Sequence, residues 1–279
     1  MTATVNTPHK IAFIGGGNMA SALIGGLIEK LTVPENIHVI DPNQAALNRM
    51  ESEFGVSAAL SIDATLATMD VIILAVKPQQ MRDVIAALLP FLSGQLLLSI
   101  AAGIRATDIS RWLKGYNKIV RTMPNTPALI GLGITGLVAM PGVEQIQRQA
   151  AQDIMQAVGG TVWLDNENLI DAVTAVSGSG PAYVFYFIEA MQQAAIELGL
   201  NPEQGTQLAI ATFNGAAQLA LRSTESVAVL RERVTSKGGT TYAALCSMEE
   251  SGIQHLIVKA IKTAAIRGQE LGDEFGDQI

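Results

Sequence analysis

The chain is poor in charge, in cysteine and in histidine, and each shortage excludes something. Charged side chains make up 15% of its 279 residues, against roughly 25% in an average soluble chain. With 49% hydrophobic residues, it is the reverse of a disordered chain, which stays open through low hydrophobicity and high charge. The single cysteine, Cys246, excludes an intrachain disulfide and any site built from several thiolates. Basic residues number 18 against 25 acidic ones, a net charge of −7 with no basic run. The electrostatic footprint of a nucleic-acid binder is therefore missing. Long unbroken apolar runs are missing too. Three charge-free stretches, residues 84–104, 122–143 and 172–188, are each interrupted by proline, glycine or serine, whereas a spanning helix needs about 20 mostly apolar residues in succession. Residues 1–10 are polar and show no apolar stretch of a signal peptide. The expectation is a cytoplasmic protein without a membrane span, its surplus apolar residues buried in a core or between subunits.

What is present begins with an alternation. Residues 11–14 (I-A-F-I) are a short apolar run ending in Gly15-Gly16-Gly17, and residues 18–30 carry Met19, Leu23, Leu27 and Ile28 at helical spacing. Residues 37–40 predict a second strand, with Asp41-Pro42 opening a helix. Residues 71–76 are apolar on both faces, as in a buried parallel strand, and Lys77-Pro78 opens the next helix. Two further strands are predicted at 96–100 and 118–122. This alternation implies a parallel sheet with helices on both sides. Beyond residues 161–164 the strand pattern stops. Pro181 and Pro202 stand at helix starts, the second behind Asn201 as a cap, and Gly199, Gly252 and Gly272 stand near helix ends. The fold class predicted is α/β: an N-terminal Rossmann domain with a mostly parallel, doubly wound sheet over residues 1–164, then an all-α domain over 165–279.

Gly15-x-Gly17-x-x-Ala20 lies between a strand and a helix. The first glycine permits a tight turn, the second lets the backbone approach a pyrophosphate, and the small third residue lets helix and strand pack closely. The helix start offers free N–H groups to phosphates. Asp41 closes the second strand somewhat beyond the usual spacing of about 20 residues, the insertion around Pro34 absorbing the excess. Its carboxylate either binds the adenine-ribose hydroxyls, which favours NAD over NADP, or caps the helix at Pro42.

Three more clusters stand out. Ala75-Val76-Lys77-Pro78 ends a central strand, where open α/β sheets bind ligands; Lys77 either steadies a phosphate or an acid, or pairs with a carboxylate. Ala101-Ala102-Gly103 ends the next strand with room for a flat ring, or simply packs closely. In Met123-Pro124-Asn125-Thr126-Pro127 two prolines fix the backbone, so the Asn125 amide and the Thr126 hydroxyl have defined directions. In the second half, residues 235–241 (T-S-K-G-G-T-T) precede a helix expected near Tyr242. Successive N–H groups at such a start make a carboxylate site, or the segment is an ordinary capped turn. None of His9, His38 and His255 adjoins a cluster, so no metal site is expected. Cys246 reads as a core residue rather than a nucleophile. Chemistry with little acid–base help is left, and hydride transfer to an activated acceptor fits, because the cofactor supplies the reactive atom.

Together these segments resemble pyrroline-5-carboxylate reductase over essentially the whole chain. The carriers are F-I-G-G-G-N-M-A (13–20), A-V-K-P (75–78), S-I-A-A-G-I (99–104), R-T-M-P-N-T-P (121–127), V-S-G-S-G-P-A-Y-V-F (176–185) and T-S-K-G-G-T-T (235–241). The resemblance implies reduction of 1-pyrroline-5-carboxylate to L-proline by NADPH or NADH. It makes the helical domain a dimerisation domain and implies a homodimer that assembles to a decamer. It places the cofactor on Gly15, Gly17, Asn18, Met19, Ala20, Ala75, Val76 and Lys77, with Asn125 near the nicotinamide end. It also implies that Ser236, Gly238, Gly239, Thr240 and Thr241 hold the substrate carboxylate and ring nitrogen, Thr241 being the catalytic candidate. Two positions depart from the pattern: Lys237 stands where proline is usual, and Asp41 where many members carry a small or basic residue. Rival readings are another enzyme of this architecture, such as a hydroxyacid dehydrogenase or a different cyclic-imine reductase, and a non-catalytic nucleotide sensor, since fold does not fix function.

Overall fold

A computed structural model describes residues 9–276, so most of the polar first ten residues lie outside the described part. Strand β1 (Ile11–Ile14) is wholly buried and runs into the glycine turn, after which helix α1 (Asn18–Lys30) begins. α1 buries Ala20, Leu23, Ile24 and Leu27, the stripe of a helix lying on a sheet. There follow β2 (Ile37–Ile40), α2 (Gln44–Phe54), β3 (Ser57–Ala59), β4 (Val71–Leu74), α3 (Met81–Leu88) and β5 (Leu96–Ser99). Then come α4 (Ala106–Trp112), β6 (Ile119–Met123), β7 (Gly133–Ala139), α5 (Gln145–Gln156) and β8 (Gly159–Trp163). One eight-stranded sheet results, in the order β3-β2-β1-β4-β5-β6-β7-β8. Its neighbours are parallel except β6 and β7. The chain winds outward from β1 in both directions, so the switch point lies between β1 and β4, where such sheets bind ligands.

Alternation along the strands divides the core in two. Ile11, Phe13, Ile73 and Leu98 face Leu23, Leu27, Met50 and Ile154. Ala12, Ile14, Ile72 and Leu97 face Met81, Ile85, Leu88 and Ile109. Both faces are dry, as the unalternating apolar strands predict.

Several elements differ from the sequence expectation. β3 and β7 were not expected. Asp41-Pro42 does not open a helix: α2 begins at Gln44, with Asn43 as its cap accepting from the Ala45 N–H (3.0 Å). Gly272 lies inside the last helix rather than at its end; a Cβ there would stand 2.9 Å from Arg105 Nη2, so its smallness serves a close contact.

The described residues form two compact units, one ending at residue 179 and regaining residues from 264 onward, the other spanning 180–263. This partition differs from a division after residue 164. α6 (Leu169–Val173) and a π-helical turn over Thr174–Gly178 belong with the sheet, since a Cβ on Gly136 of β7 would touch Val173 at 2.8 Å. The last part of α11 (Ile253–Gly276) belongs there too, through the Arg105–Asp273 ion pair of 2.6 Å. At the same place Arg121 of β6, 2% exposed, pairs with Glu167 at 3.0 Å and lies 3.8 Å from Asp171. Burial pushes the Asp171 carboxyl up, with Arg121 and Arg105 opposing.

The second unit contains α7 (Gly180–Glu197), α8 (Pro202–Arg222), α9 (Val227–Arg233), α10 (Thr240–Glu250) and the start of α11. Pro202 follows Asn201 in a capping box. α7 and α8 pack through Phe187 and Phe213, 6.5 Å between ring centroids, and through a Gln192–Thr206 hydrogen bond of 3.0 Å. Yet α7, α9 and α10 have no buried residue and α8 has only Gly205 and Ala209. Phe185, Tyr186, Leu208, Leu219 and Leu221 are exposed in the isolated chain. Cys246, expected in a core, is half-exposed, because α10 has no inner face in this chain.

One buried titratable group gives a pH prediction. Ser57 Oγ donates to Ile37 O (3.1 Å) and so accepts from His38 Nδ1 (2.9 Å), which leaves His38 Nε2 buried without a partner. Burial pushes the imidazole below its ordinary range, the Asp63 carboxylate opposing. The unfolded chain then binds the extra proton first. Stability contributed by neutral His38 is present above about pH 6.5 and is lost as pH falls through the lower folded value. His38→Gln should flatten this part of a Tm-against-pH curve; an unchanged slope would contradict the assignment.

Candidate active site

β1 delivers the chain to Gly15 at φ +106°, a conformation glycine alone adopts readily. A Cβ there would stand 2.6 Å from Ala75 O at the end of β4, so the two central strand ends meet backbone to backbone. The next N–H, of Gly16, donates to Asp41 Oδ2 (2.7 Å), and the Asn43 N–H donates to Asp41 Oδ1 (2.8 Å). Asp41 thus anchors the glycine turn and the bend after β2, and does not cap α2. Arg49 Nη2 closes the same corner by donating to Gly16 O (3.2 Å). Gly17 starts α1 with no side-chain cap and no acid in the first turn, and a Cβ on it would meet nothing within 4 Å. Unmasked N–H groups and the positive end of the helix dipole therefore face open space.

Two cavities adjoin at these strand ends. One, of about 540 Å³, is lined by Gly15, Gly17, Asp41, Ala75, Val76 and Lys77, with Ser61 and Gln80. The other, of about 340 Å³, is lined by Met19, Ala75, Val76, Ala101, Asn125 and Gly178. Ala75 and Val76 line both, as a linker spanning two halves of a dinucleotide would require. The small side chains and the open space at Gly17 fit such a molecule, and a helix N-terminus fits its pyrophosphate. Of the cofactor residues expected from the sequence, Asn18 is the first residue of α1 and Ala20 is fully buried, its smallness serving the helix–sheet contact; the rest line the cavities. Leu60, Ser61 and Ile62 also line the first cavity and carry no signal in the sequence, since the short β3 that leads to them carries none. Gly178 lines the second cavity, a place that the S-G-S-G run alone does not disclose.

The 235–241 segment is described within its own unit. Gly238 adopts φ +73°, and Gly239 starts α10 with no side-chain cap and no acid in the first turn. The helix begins at Thr240, two residues before the expected place, so Thr240 and Thr241 contribute its first N–H groups. The Thr235 hydroxyl is taken by Arg231 O (2.6 Å). Among the described residues no group of three His, Cys, Asp or Glu is placed to hold a metal ion, and no helix is long and apolar enough to cross a membrane.

The sheet, its switch point and the cavities define a dinucleotide-binding protein of the Rossmann class. A family model described as pyrroline-5-carboxylate reductase dimerisation matches residues 167–271, and one described as NADP oxidoreductase, coenzyme F420-dependent, matches residues 10–103. With 44% identity to the pyrroline-5-carboxylate reductase of Pseudomonas aeruginosa, over 98% of this chain and 100% of that one, the chain belongs to the pyrroline-5-carboxylate reductase family. The Haemophilus influenzae enzyme of that name is 42% identical, over 96% and 99% of the two chains. A solved pyrroline-5-carboxylate reductase from Coxiella burnetii superposes with a TM-score of 0.90 at 40% identity, covering 95% of this chain and 99% of that one. A Plasmodium falciparum pyrroline carboxylate reductase, solved with NADP bound, gives 0.84 at 30% identity, covering 95% and 98%.

Proposed function

We propose that this protein reduces 1-pyrroline-5-carboxylate to L-proline with NAD(P)H, the last step of proline biosynthesis. The observation that carries the reading is a pair of helix N-termini, those of α1 and α10, each led by glycine, uncapped and without an acid in the first turn. They supply the two anion sites that a dinucleotide and a carboxylate substrate need. When bound, the nicotinamide cofactor supplies a hydride to the imine carbon of the ring. The chain supplies position. Gly15, Gly17 and α1 would receive the pyrophosphate, and Met19, Ala101 and the strand ends would hold the nicotinamide. Ser236, Gly238, Gly239 and Thr240 hold the substrate carboxylate. The Thr241 hydroxyl meets the ring nitrogen and favours its protonated, electrophilic form. What the chain would contribute is the positioning of one reactant against the other, which in such reactions accounts for most of the acceleration.

The test is oxidation of NADH and of NADPH, separately, by purified protein with 1-pyrroline-5-carboxylate. Turnover supports the reading; cofactor binding without turnover points to another cyclic imine or to a sensor. Thr241→Val should lower kcat by about tenfold, one hydrogen bond to a charged group, with cofactor affinity nearly intact. Asp41, fixed by two backbone N–H groups, would accept ribose hydroxyls and repel a 2′-phosphate, so NADH should be the better donor. Asp41→Ser should move the NADH-to-NADPH ratio of kcat/KM toward NADPH by about tenfold; a ratio that does not move removes Asp41 from cofactor choice. The finer assembly proposed, dimers combining into a decamer, is checked by the mass in solution from light scattering.

A further inference from the structure

Asn125 has a task that its place in the cavity wall does not disclose. It precedes the short helical turn Thr126–Ile130 but its side chain does not cap that turn, as asparagine at such a position commonly does. Instead Oδ1 accepts from the Ile134 N–H at the start of β7 (2.9 Å), and Nδ2 donates to Ser177 O in the π turn (3.1 Å). The two partners fix which end of the amide is which, since an N–H needs the oxygen and a carbonyl needs the nitrogen. The residue is 8% exposed, and the amide cannot turn toward a ligand without breaking both bonds.

The Ser177 carbonyl needs this donor for a reason written in the sequence. Its α-helical partner would be the N–H four residues on, and that residue is Pro181, which has none. The chain there adopts a π turn, closed by the Ser179 N–H on Thr174 O (2.8 Å). Such turns within helices gather at functional sites. Next to it Gly178 forms part of the smaller cavity, pressed so closely on Met123 that a Cβ would stand 2.6 Å from its Cε. The wall is thus a glycine held in place by an amide 53 residues away in sequence.

We infer that Asn125 is a positioning residue for hydride transfer: it supplies the hydrogen bond that Pro181 withholds, and so fixes the π turn and Gly178 as the wall against which the nicotinamide lies. It acts through Ser177 and Gly178 rather than as a cofactor ligand. The inference rests on the reductase reading for its kinetic consequence, but its structural half can be read without turnover.

The experiment uses Asn125→Asp, which has the same volume and keeps an oxygen for Ile134 but turns a carboxylate oxygen toward Ser177 O. Asn125→Ser removes the Ser177 contact without adding charge and is read the same way should the Asp variant not fold. The wild type and the variants are compared for turnover of 1-pyrroline-5-carboxylate, for NADH and NADPH binding by fluorescence, and for amide exchange at Ser179. The expected result is a kcat lower by about tenfold to 100-fold, the scale of a misplaced reactant, with cofactor Kd within about twofold and Ser179 exchange faster by about tenfold. A Kd that rises with the loss of kcat while Ser179 exchange stays put would make Asn125 a direct ligand and overturn the inference. An unchanged kcat would also overturn it, leaving only a structural bond. If the wild type itself does not turn over, the reductase reading fails while the Ser179 exchange still reports on the Asn125 bracket.

Discussion

Gly15→Ala should abolish useful cofactor binding while leaving most of the fold standing. The added Cβ would lie 2.6 Å from Ala75 O and 2.8 Å from its carbonyl carbon. Neither atom can retreat, because the Ala75 N–H is held by Ile14 O at 2.8 Å. The φ of +106° adds backbone strain. Strain and overpacking together cost about 3 kcal/mol, and the turn relieves them by leaving the geometry that faces the pyrophosphate. That is about 100-fold in Kd. Gly17→Ala is the informative contrast. Its φ is −78° and its Cβ would touch nothing, so the apo protein should melt at the wild-type temperature, yet the new methyl occupies the space assigned to phosphate. Cofactor titration and apo Tm together separate the two variants. If Gly15→Ala bound NADH like the wild type, the cavity at the glycine turn would not be the cofactor site.

Arg121→Leu should be strongly destabilising. The guanidinium is 3% exposed and its partners Glu167 and Asp171 are 19% and 22% exposed as side chains. Removing one member of a buried pair leaves the other charges uncompensated, at a cost of about 3 kcal/mol or more. For a chain of this size the Tm should fall by about 6 to 12 °C. The pH dependence gives the sign. Burial already raises the Asp171 carboxyl, and Arg121 restrains that rise. Without the arginine the folded Asp171 carboxyl binds its proton more readily than the unfolded one, so the deficit is full at neutral pH and shrinks as pH falls into the carboxylate range. A Tm deficit that stays constant down to pH 4, or none at pH 7, would show that the pair does not hold α6 to the sheet.

The sequence disclosed most where local rules and the fold agree. β1, the glycine turn and α1 were legible to the residue, because an apolar run, three glycines and a helical stripe lie in immediate succession. It disclosed least where a distant contact sets the local choice. β7 carries Gly133 and Gly136, poor strand formers, because added Cβ atoms would meet Ala128 at 3.0 Å and Val173 at 2.8 Å. β3 is a three-residue edge strand of Ser57, Ala58 and Ala59, too short and too small for a periodic signal. Gly272 looked like a helix end but is the place where α11 lies against Arg105. The candidate site followed the same division. Gly15, Gly17 and the strand ends were visible in order, whereas the bonds of Asn125 to residues 9 and 52 positions away leave no mark in any local window.

The helical unit from residue 180 to residue 263 has almost no interior of its own, with Phe185, Tyr186, Leu219 and Leu221 bare in the isolated chain. Its order therefore depends on mass action as much as on sequence. A dimerisation family model covers this part of the chain, and a fold completed by a second copy has a stability that rises with protein concentration. Dilution then acts as a denaturant: a melting temperature measured at micromolar protein overstates that at nanomolar, and specific activity in an assay falls below the value expected from enzyme mass. Restoring it with concentrated enzyme, but not with an inert protein, would identify self-association as the missing ingredient.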